Sequence, residues 1–329
     1  MATFTNKESL YYNDVNIIAK KHDYFISRND IPNESWRIIA SPMQAVVGEK
    51  FVIEAARLGI SVFLPRFLGR EWQLDRFRSF YKNAANKNQF CCVSLGVKDF
   101  KQDYEFFRKN KVNNMGLDIA NGYLNLVTLA SYMKEGTLDR FYVGNVHDEW
   151  GYKNIYRTFP CISRELIVRV GIGGGSPCST SDMTGVNRGN ITEIMECSIW
   201  DTPHVSTAAD GGISKPAYAC KAFAAGAKYV IIGGYFSQAE EAETNVSGDG
   251  SYWGGASEKQ LEIIKQAGKT SKGKILSPKT NLVPLKKLVD DLNGGIRSFV
   301  SYSGGNTLTE VIGTGLFEVK RNSLPPKNR

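Results

Sequence analysis

The chain has 329 residues, of which 42% are hydrophobic and 22% charged, a balance that suits a folded protein and excludes a largely disordered or collagen-like one. Its formal net charge of +8 fits a phosphate-bearing ligand, but the basic residues are scattered in short doublets and carry no recognised nucleic-acid-binding motif, so nucleic acid is not an expected partner. No apolar run approaches a membrane span and residues 1–10 lack a signal pattern, so a cytoplasmic protein without a membrane partner is expected.

Short β-rich apolar runs recur along the chain, most of them followed by a helical pattern. Residues 37–41 (RIIAS) precede an amphipathic stretch at 48–58, and residues 60–64 (ISVFL) precede one at 72–83. Next come 90–95 (FCCVSL) with a helix over 104–110, 114–120 (NMGLDIA) with a helix over 123–135, and 140–146 (RFYVGNV). Residues 166–172 (LIVRVGI) lead to a helix over 191–200, 204–210 (HVSTAAD) to one over 215–225, and 227–234 (AKYVIIGG) is the eighth run. Strands alternating with helices predict a parallel sheet, and eight such units predict closure into a (β/α)₈ TIM barrel, an α/β fold. A doubly wound open sheet is the rival, normally with fewer strands. One barrel domain over 1–329 is the expected organisation, without an internal repeat.

Polar and glycine residues gather where these strands end: Ser41-Pro-Met43, Asp118 and Asn121, Gly144-Asn145, 171–180, Asp210-Gly-Gly212 and Gly233-Gly234-Tyr235. Any one of them is ordinary turn chemistry, but barrel enzymes build their sites from these same loops. After the eighth strand, about 237–282 is an insertion that reads as a mobile flap, or else as a plain surface excursion. Within it, Ser247-Gly-Asp-Gly250 predicts a tight hairpin turn, and 258–266 a helix before a lysine-rich loop. A further helix is expected over 284–293, with the tail packed beneath the barrel.

The chemistry centres on Gly171-Ile-Gly-Gly-Gly-Ser-Pro-Cys-Ser-Thr180. Glycines let a backbone approach a ligand closely, and successive amides or carbonyls in such a turn can hold a phosphate or a monovalent cation. The spacing does not fit the G-x-G-x-x-G dinucleotide fingerprint, because position 176 is serine. Cys178 sits on this polar loop, whereas Cys91, Cys92, Cys161, Cys197 and Cys220 stand in apolar or helical contexts and read as core thiols. None of the six has C-x-x-C spacing, and the three histidines pair on no helix, so neither disulfides nor zinc are expected.

The run GIGGGSPCSTSDMTG resembles the catalytic loop of the IMP dehydrogenase/GMP reductase family, and seven further motifs resemble that family in order. These are Tyr12-Asn-Asp-Val15, Ile39-Ala-Ser-Pro-Met43, Leu117-Asp-Ile-Ala-Asn-Gly-Tyr123, Gly144-Asn-Val146, Ala209-Asp-Gly-Gly212, Ile232-Gly-Gly234 and Tyr252-Trp-Gly-Gly255. The resemblance implies a purine nucleoside monophosphate as substrate, a Cys178 adduct at the purine's carbon 2, and hydride exchange with NADPH or NADH. It implies catalytic roles for Cys178 and Thr180, with substrate held by Ser41, Met43, Ser176, Asp210, Gly212, Gly233, Gly234, Tyr252 and Gly255. Asp118, Asn121, Gly144 and Asn145 would serve the cofactor. Carbonyls of Gly173, Gly175 and Cys178 would bind K⁺, and a homotetramer would be the assembly.

Within the family the chain resembles the reductase branch. No segment is long enough for the paired regulatory (CBS) module of the dehydrogenases, and residues 258–279 lack their water-activating Arg-Tyr pair. Three positions depart from the family pattern. Gln44 replaces an aspartate, Ser181-Asp182 a basic residue, and Lys272 or Ser271 a flap carboxylate or amide facing the purine edge. A lysine has donors and no acceptor, which mismatches that edge, and together these changes imply a modified base, a different purine edge or lost activity, as in a nucleotide-binding pseudoenzyme.

Overall fold

The computed structural model describes residues 8–22, 27–175, 180–255, 257–263, 274–277 and 280–320, with the side chains of Leu261 and Ile263 set aside. Ser176, Cys178, Ser271 and Lys272 therefore lie outside the described residues. Eight parallel strands form where the eight runs lie: β1 (Ile38–Ala40), β2 (Ser61–Phe63), β3 (Cys91–Leu95), β4 (Asn114–Asp118), β5 (Leu138–Val146), β6 (Ser163–Val170), β7 (Val205–Asp210) and β8 (Tyr229–Ile232). They pair in chain order, and β8 closes on β1 with Ile38 opposite Val230 and Ala40 opposite Ile232. Closure excludes the open sheet.

Side-chain alternation divides the core in two. Along β6, Ile167 joins an inner layer with Ile39, Phe63, Phe90, Cys92, Tyr142, Ala208, Tyr229 and Ile231. Leu166, Val168 and Val170 join the larger core between barrel and helices. Phe63 stacks on Tyr142 with ring centroids 3.9 Å apart, and Gly116 on β4 is bare where a β-carbon would overlap the Tyr142 ring. Glu165, at the amino-terminal end of β6, accepts from Arg140 at 3.1 Å and from Ser206 and Tyr229 at 2.8 Å each. That network plugs the floor of the barrel with satisfied charges. Arg169 shares the inward parity of Glu165 and Ile167 and faces the opposite mouth.

The helices α1 (Glu49–Arg57), α2 (Arg70–Asn83) and α3 (Phe100–Lys109) occupy periodic stretches of the sequence. The helix expected over 123–135 shrinks to one turn, α4 (Val127–Ala130). Asn125 Oδ1 accepts from the Val127 amide at 3.2 Å and Ser131 Oγ donates to the Thr128 carbonyl at 2.8 Å, local bonds that compete with a longer helix. An unanticipated α5 (Glu149–Thr158) is capped by Asp148, whose carboxylate accepts from the Gly151 amide at 2.8 Å. Then follow α6 (Thr180–Thr184), α7 (Asn190–Ser198) and α8 (Pro216–Ala225).

After β8 come α9 (Glu243–Val246), a strand Tyr252–Trp253 paired antiparallel with Ile275–Leu276, and α10 (Glu258–Ile263). The turn at 247–250 is present, but it joins α9 to Tyr252–Trp253 rather than two paired strands, so it is no hairpin. The chain then forms α11 (Leu285–Tyr302), 18 residues long, packed on α8 and α1 as the eighth helix. The helix expected over 284–293 runs on through Gly294-Gly295 to Tyr302, and a β-carbon on Gly295 would come within 2.9 Å of Pro216. Close helix contact, not termination, accounts for a small residue there. Beyond it Thr309 Oγ1 accepts from Arg37, just before β1, at 2.7 Å, and Phe317–Val319 pairs antiparallel with Val15–Ile17. Cys91, Cys92, Cys197 and Cys220 are buried, but Cys161 is exposed in the turn after α5, against the expectation of a core thiol. Among the described residues no helix is long and apolar enough to cross a membrane.

Candidate functional site

A cavity of about 680 Å³ opens at the carboxyl ends of the strands. Ser41, Met43, Asp118, Asn121, Asn145, Gly173, Gly175, Thr180, Asp210, Gly212, Gly233, Gly234, Tyr252 and Gly255 all border it. Gly144 does not, and its place is structural. Its φ is +153° and a β-carbon there would meet the Arg169 carbonyl at 2.5 Å, so glycine lets β5 pass close to β6 and present Asn145.

The polar centre is Arg169, 7% exposed. Its Nη1 donates to Asp118 Oδ1 at 2.9 Å, while Nε and Nη2 reach Asp210 Oδ2 at 2.9 and 2.8 Å. Burial works against the guanidinium's charge, but Asp210 and then Asp118 outweigh it and hold its pKa above the ordinary value. Asn145 Nδ2 donates to Asp210 Oδ2 at 2.8 Å and to the Gly171 carbonyl at 2.6 Å, tying β5, β6 and β7 together at the mouth. A planar fork spanning two carboxylates fixes both, which a lysine's point charge does less well. Nothing in the motif reading singled out Arg169. The signal was there as a charge at an inward position of the apolar run LIVRVGI.

Opposite this cluster, Tyr252 OH donates to Met43 Sδ at 3.2 Å. A β-carbon on Gly233 would lie 2.7 Å from that sulfur and 2.8 Å from the Tyr252 oxygen. Gly233→Ala is therefore expected to crowd this wall and destabilise the fold by about 1–3 kcal/mol, the scale of overpacking a filled site, which urea denaturation checks. Gln44 does not border the cavity. Its Oε1 accepts from Gln260 Nε2 of α10 at 3.1 Å, and Gln260 is 1% exposed. The side chain at position 44 thus ties α10 to the segment after β1.

The end of the cavity nearest Asp118 is cationic and apolar, bordered by Arg66, Phe67, Val97, Lys98 and Leu124. Arg66 Nε lies 3.5 Å from Asp118 Oδ2, with its guanidinium over the Phe67 ring at 4.0 Å. The motif reading missed these residues, because loops after β2 and β3 carry no spacing that marks them. At the rim, Lys274 pairs with Asp182 on α6 at 2.6 Å. Both are exposed, so the pair contributes at most about 1 kcal/mol. Among the described residues no group of three His, Cys, Asp or Glu could hold a metal ion.

The sequence profile of the "IMP dehydrogenase / GMP reductase domain" matches residues 12–323. A GMP reductase of Onchocerca volvulus is 26% identical over 341 residues, covering 94% of this chain and 91% of its own. A GMP reductase of Clostridium acetobutylicum is 28% identical over 301 residues, covering 87% and 86%, and one of Klebsiella pneumoniae is 28% identical over 334, covering 92% of each. With the profile spanning nearly the whole barrel, the chain belongs to the IMP dehydrogenase/GMP reductase family.

Proposed function

We propose that this chain is a GMP-reductase-like oxidoreductase, converting a guanine nucleotide to its inosine counterpart through a covalent adduct between Cys178 and the purine's carbon 2. One observation carries the reading: positions implied separately by the family motifs border a single cavity at the carboxyl mouth of the barrel, flanked by both ends of the loop bearing Cys178. Backbone amides at Gly212, Gly233 and Gly234, with Ser176 and Tyr252, hold the 5′-phosphate. Asp210, oriented by Arg169 and Asn145, takes the ribose diol, while Ser41, Met43 and Gly255 wall the base. Thr180 handles the proton of the small leaving group. Cys178 attacks carbon 2 as the thiolate and is released once that carbon is reduced.

NADPH, when bound, supplies the hydride. Asp118, Asn121 and Asn145 face its nicotinamide side, with Gly144 shaping Asn145. Arg66 and Lys98 offer charge, and Phe67 and Leu124 apolar surface, a set that fits a phosphorylated dinucleotide. The carbonyls of Gly173, Gly175 and Cys178 suit K⁺. The Val186 carbonyl lies 3.2 Å from a β-carbon built on Gly173, one further oxygen beside that turn. Residues 237–282 act as the flap, since Tyr252, Gly254 and Gly255 already border the cavity. A single barrel without a regulatory module, assembled as a cytoplasmic homotetramer, completes the reading.

A second reading, an enzyme for another purine nucleotide, is favoured by Lys272 and Ser271 standing where the family carries a flap acceptor. A panel of purine monophosphates assayed for NADPH oxidation separates the two. Oxidation with guanosine monophosphate, and inosine monophosphate as product, is expected; turnover confined to another purine selects the second reading, and binding without turnover of any purine counts against both.

A further inference from the structure

The two glycine loops bordering the cavity, 171–175 and 211–212, are backed on their far side by the first turn of α7. Glu193 lies there, 1% exposed. Its Oε1 accepts from Asn190 Nδ2 at 3.2 Å and lies 3.4 Å from where a Gly171 β-carbon would be. Asn190 touches both loops: its Nδ2 is 3.0 Å from a β-carbon built on Gly174, its Oδ1 3.3 Å from one built on Gly212. Among the described residues Glu193 Oε2 has no hydrogen-bond partner, and neither does the buried hydroxyl of Tyr12, whose ring packs beside Gly212.

The groups facing Glu193 compensate its charge only in part. Arg188, on the preceding loop, gives Nη2 to Glu196 at 2.5 Å and Nη1 to the His147 carbonyl at 2.8 Å. Asp210 on β7 carries a like charge, and the Tyr12 phenol and the Cys197 thiol on α7 are themselves weak acids in burial. A buried carboxylate with one neutral donor costs far more than the neutral acid. Burial pushes the Glu193 pKa well above the carboxylate range; Asn190 and Arg188 pull it down, and Asp210 pushes it further up.

We propose that Glu193 is a positioning residue that, with Asn190, braces the two glycine loops from the face opposite the cavity. It works as the neutral acid, with Oε1 accepting from Asn190 beside Gly171. This rests on the reading that the loop presents Cys178 to the substrate, but its test does not need turnover.

The infrared difference spectrum of the wild-type protein against Glu193→Gln at neutral pH reads the proton directly. A protonated-carboxyl band that the variant lacks is expected; carboxylate bands in its place overturn the proposal. Positioning is read as the iodoacetamide rate at Cys178, followed by peptide mass spectrometry with and without guanosine monophosphate. Glu193→Gln keeps a neutral donor and retains the wild-type rate and its nucleotide protection, while Glu193→Ala shifts the rate by about tenfold or more. Equal rates in all three proteins, or a glutamine variant as altered as alanine, overturn it. Should the alanine variant not fold, the glutamine variant decides, with a lost rate overturning and a kept rate plus the band supporting. If band and rates hold while no purine is turned over, the functional reading fails and the positioning role stands.

Discussion

Arg169→Met is expected to lower the free energy of unfolding by about 3–5 kcal/mol, the scale of removing one partner from a buried ion pair. The side chain is of similar volume, so packing changes little and the electrostatic loss dominates. Arg169 spans Asp118 and Asp210, both partly shielded from water, and no other cation reaches Asp210 among the described residues. Without it two carboxylates face each other across the mouth, and Asp210 keeps only Asn145 to orient it. Nucleotide affinity should fall with stability. Arg169→Lys retains the charge but not the two-sided fork, so it should fall between methionine and wild type. Urea denaturation measures the first effect; a methionine variant as stable as wild type would show that the cluster does not hold the mouth together.

Cys178→Ser is expected to remove turnover by roughly 10⁴-fold or more, the scale on which a covalent nucleophile contributes, with the nucleotide still bound. Serine keeps the size and polarity of the loop, and apart from Ser176 the phosphate, ribose and base positions lie on other strands. The split between kcat and binding is the informative feature. Loss of both together would make Cys178 a structural member of the loop.

The sequence conveyed the barrel well because each strand is a short apolar run and most long helices carry a clear period, α5 being the one missed. Its failures were local. The 123–135 stretch carried a helical period, but Asn125 and Ser131 drew backbone hydrogen bonds to their side chains. The helix expected over 284–293 runs on to Tyr302, with Gly295 packed close to Pro216, a tertiary fact. Glycine and aspartate at 247–250 marked a turn without revealing that no paired strand preceded it.

The site was legible where order along the chain reports it, in the motifs at the ends of β1, β4, β5, β6, β7 and β8. Arg169, Arg66 and Lys98 were not, since their roles depend on which residues lie across the barrel. Strand parity in LIVRVGI was enough to point Arg169 inward, but not to find Asp118 and Asp210 as its partners. Gln44 taught the reverse lesson. It stands beside a family motif, and its side chain contacts α10 outside the cavity.

The central claim is that Cys178 attacks the purine, and acid quenching during steady turnover with guanosine monophosphate and NADPH tests it most directly. Peptide mass spectrometry should find a purine nucleotide joined to Cys178 in the wild-type protein and none in Cys178→Ser. An unmodified Cys178 in an enzyme that is turning over, or an undiminished rate in the serine variant, would contradict the account.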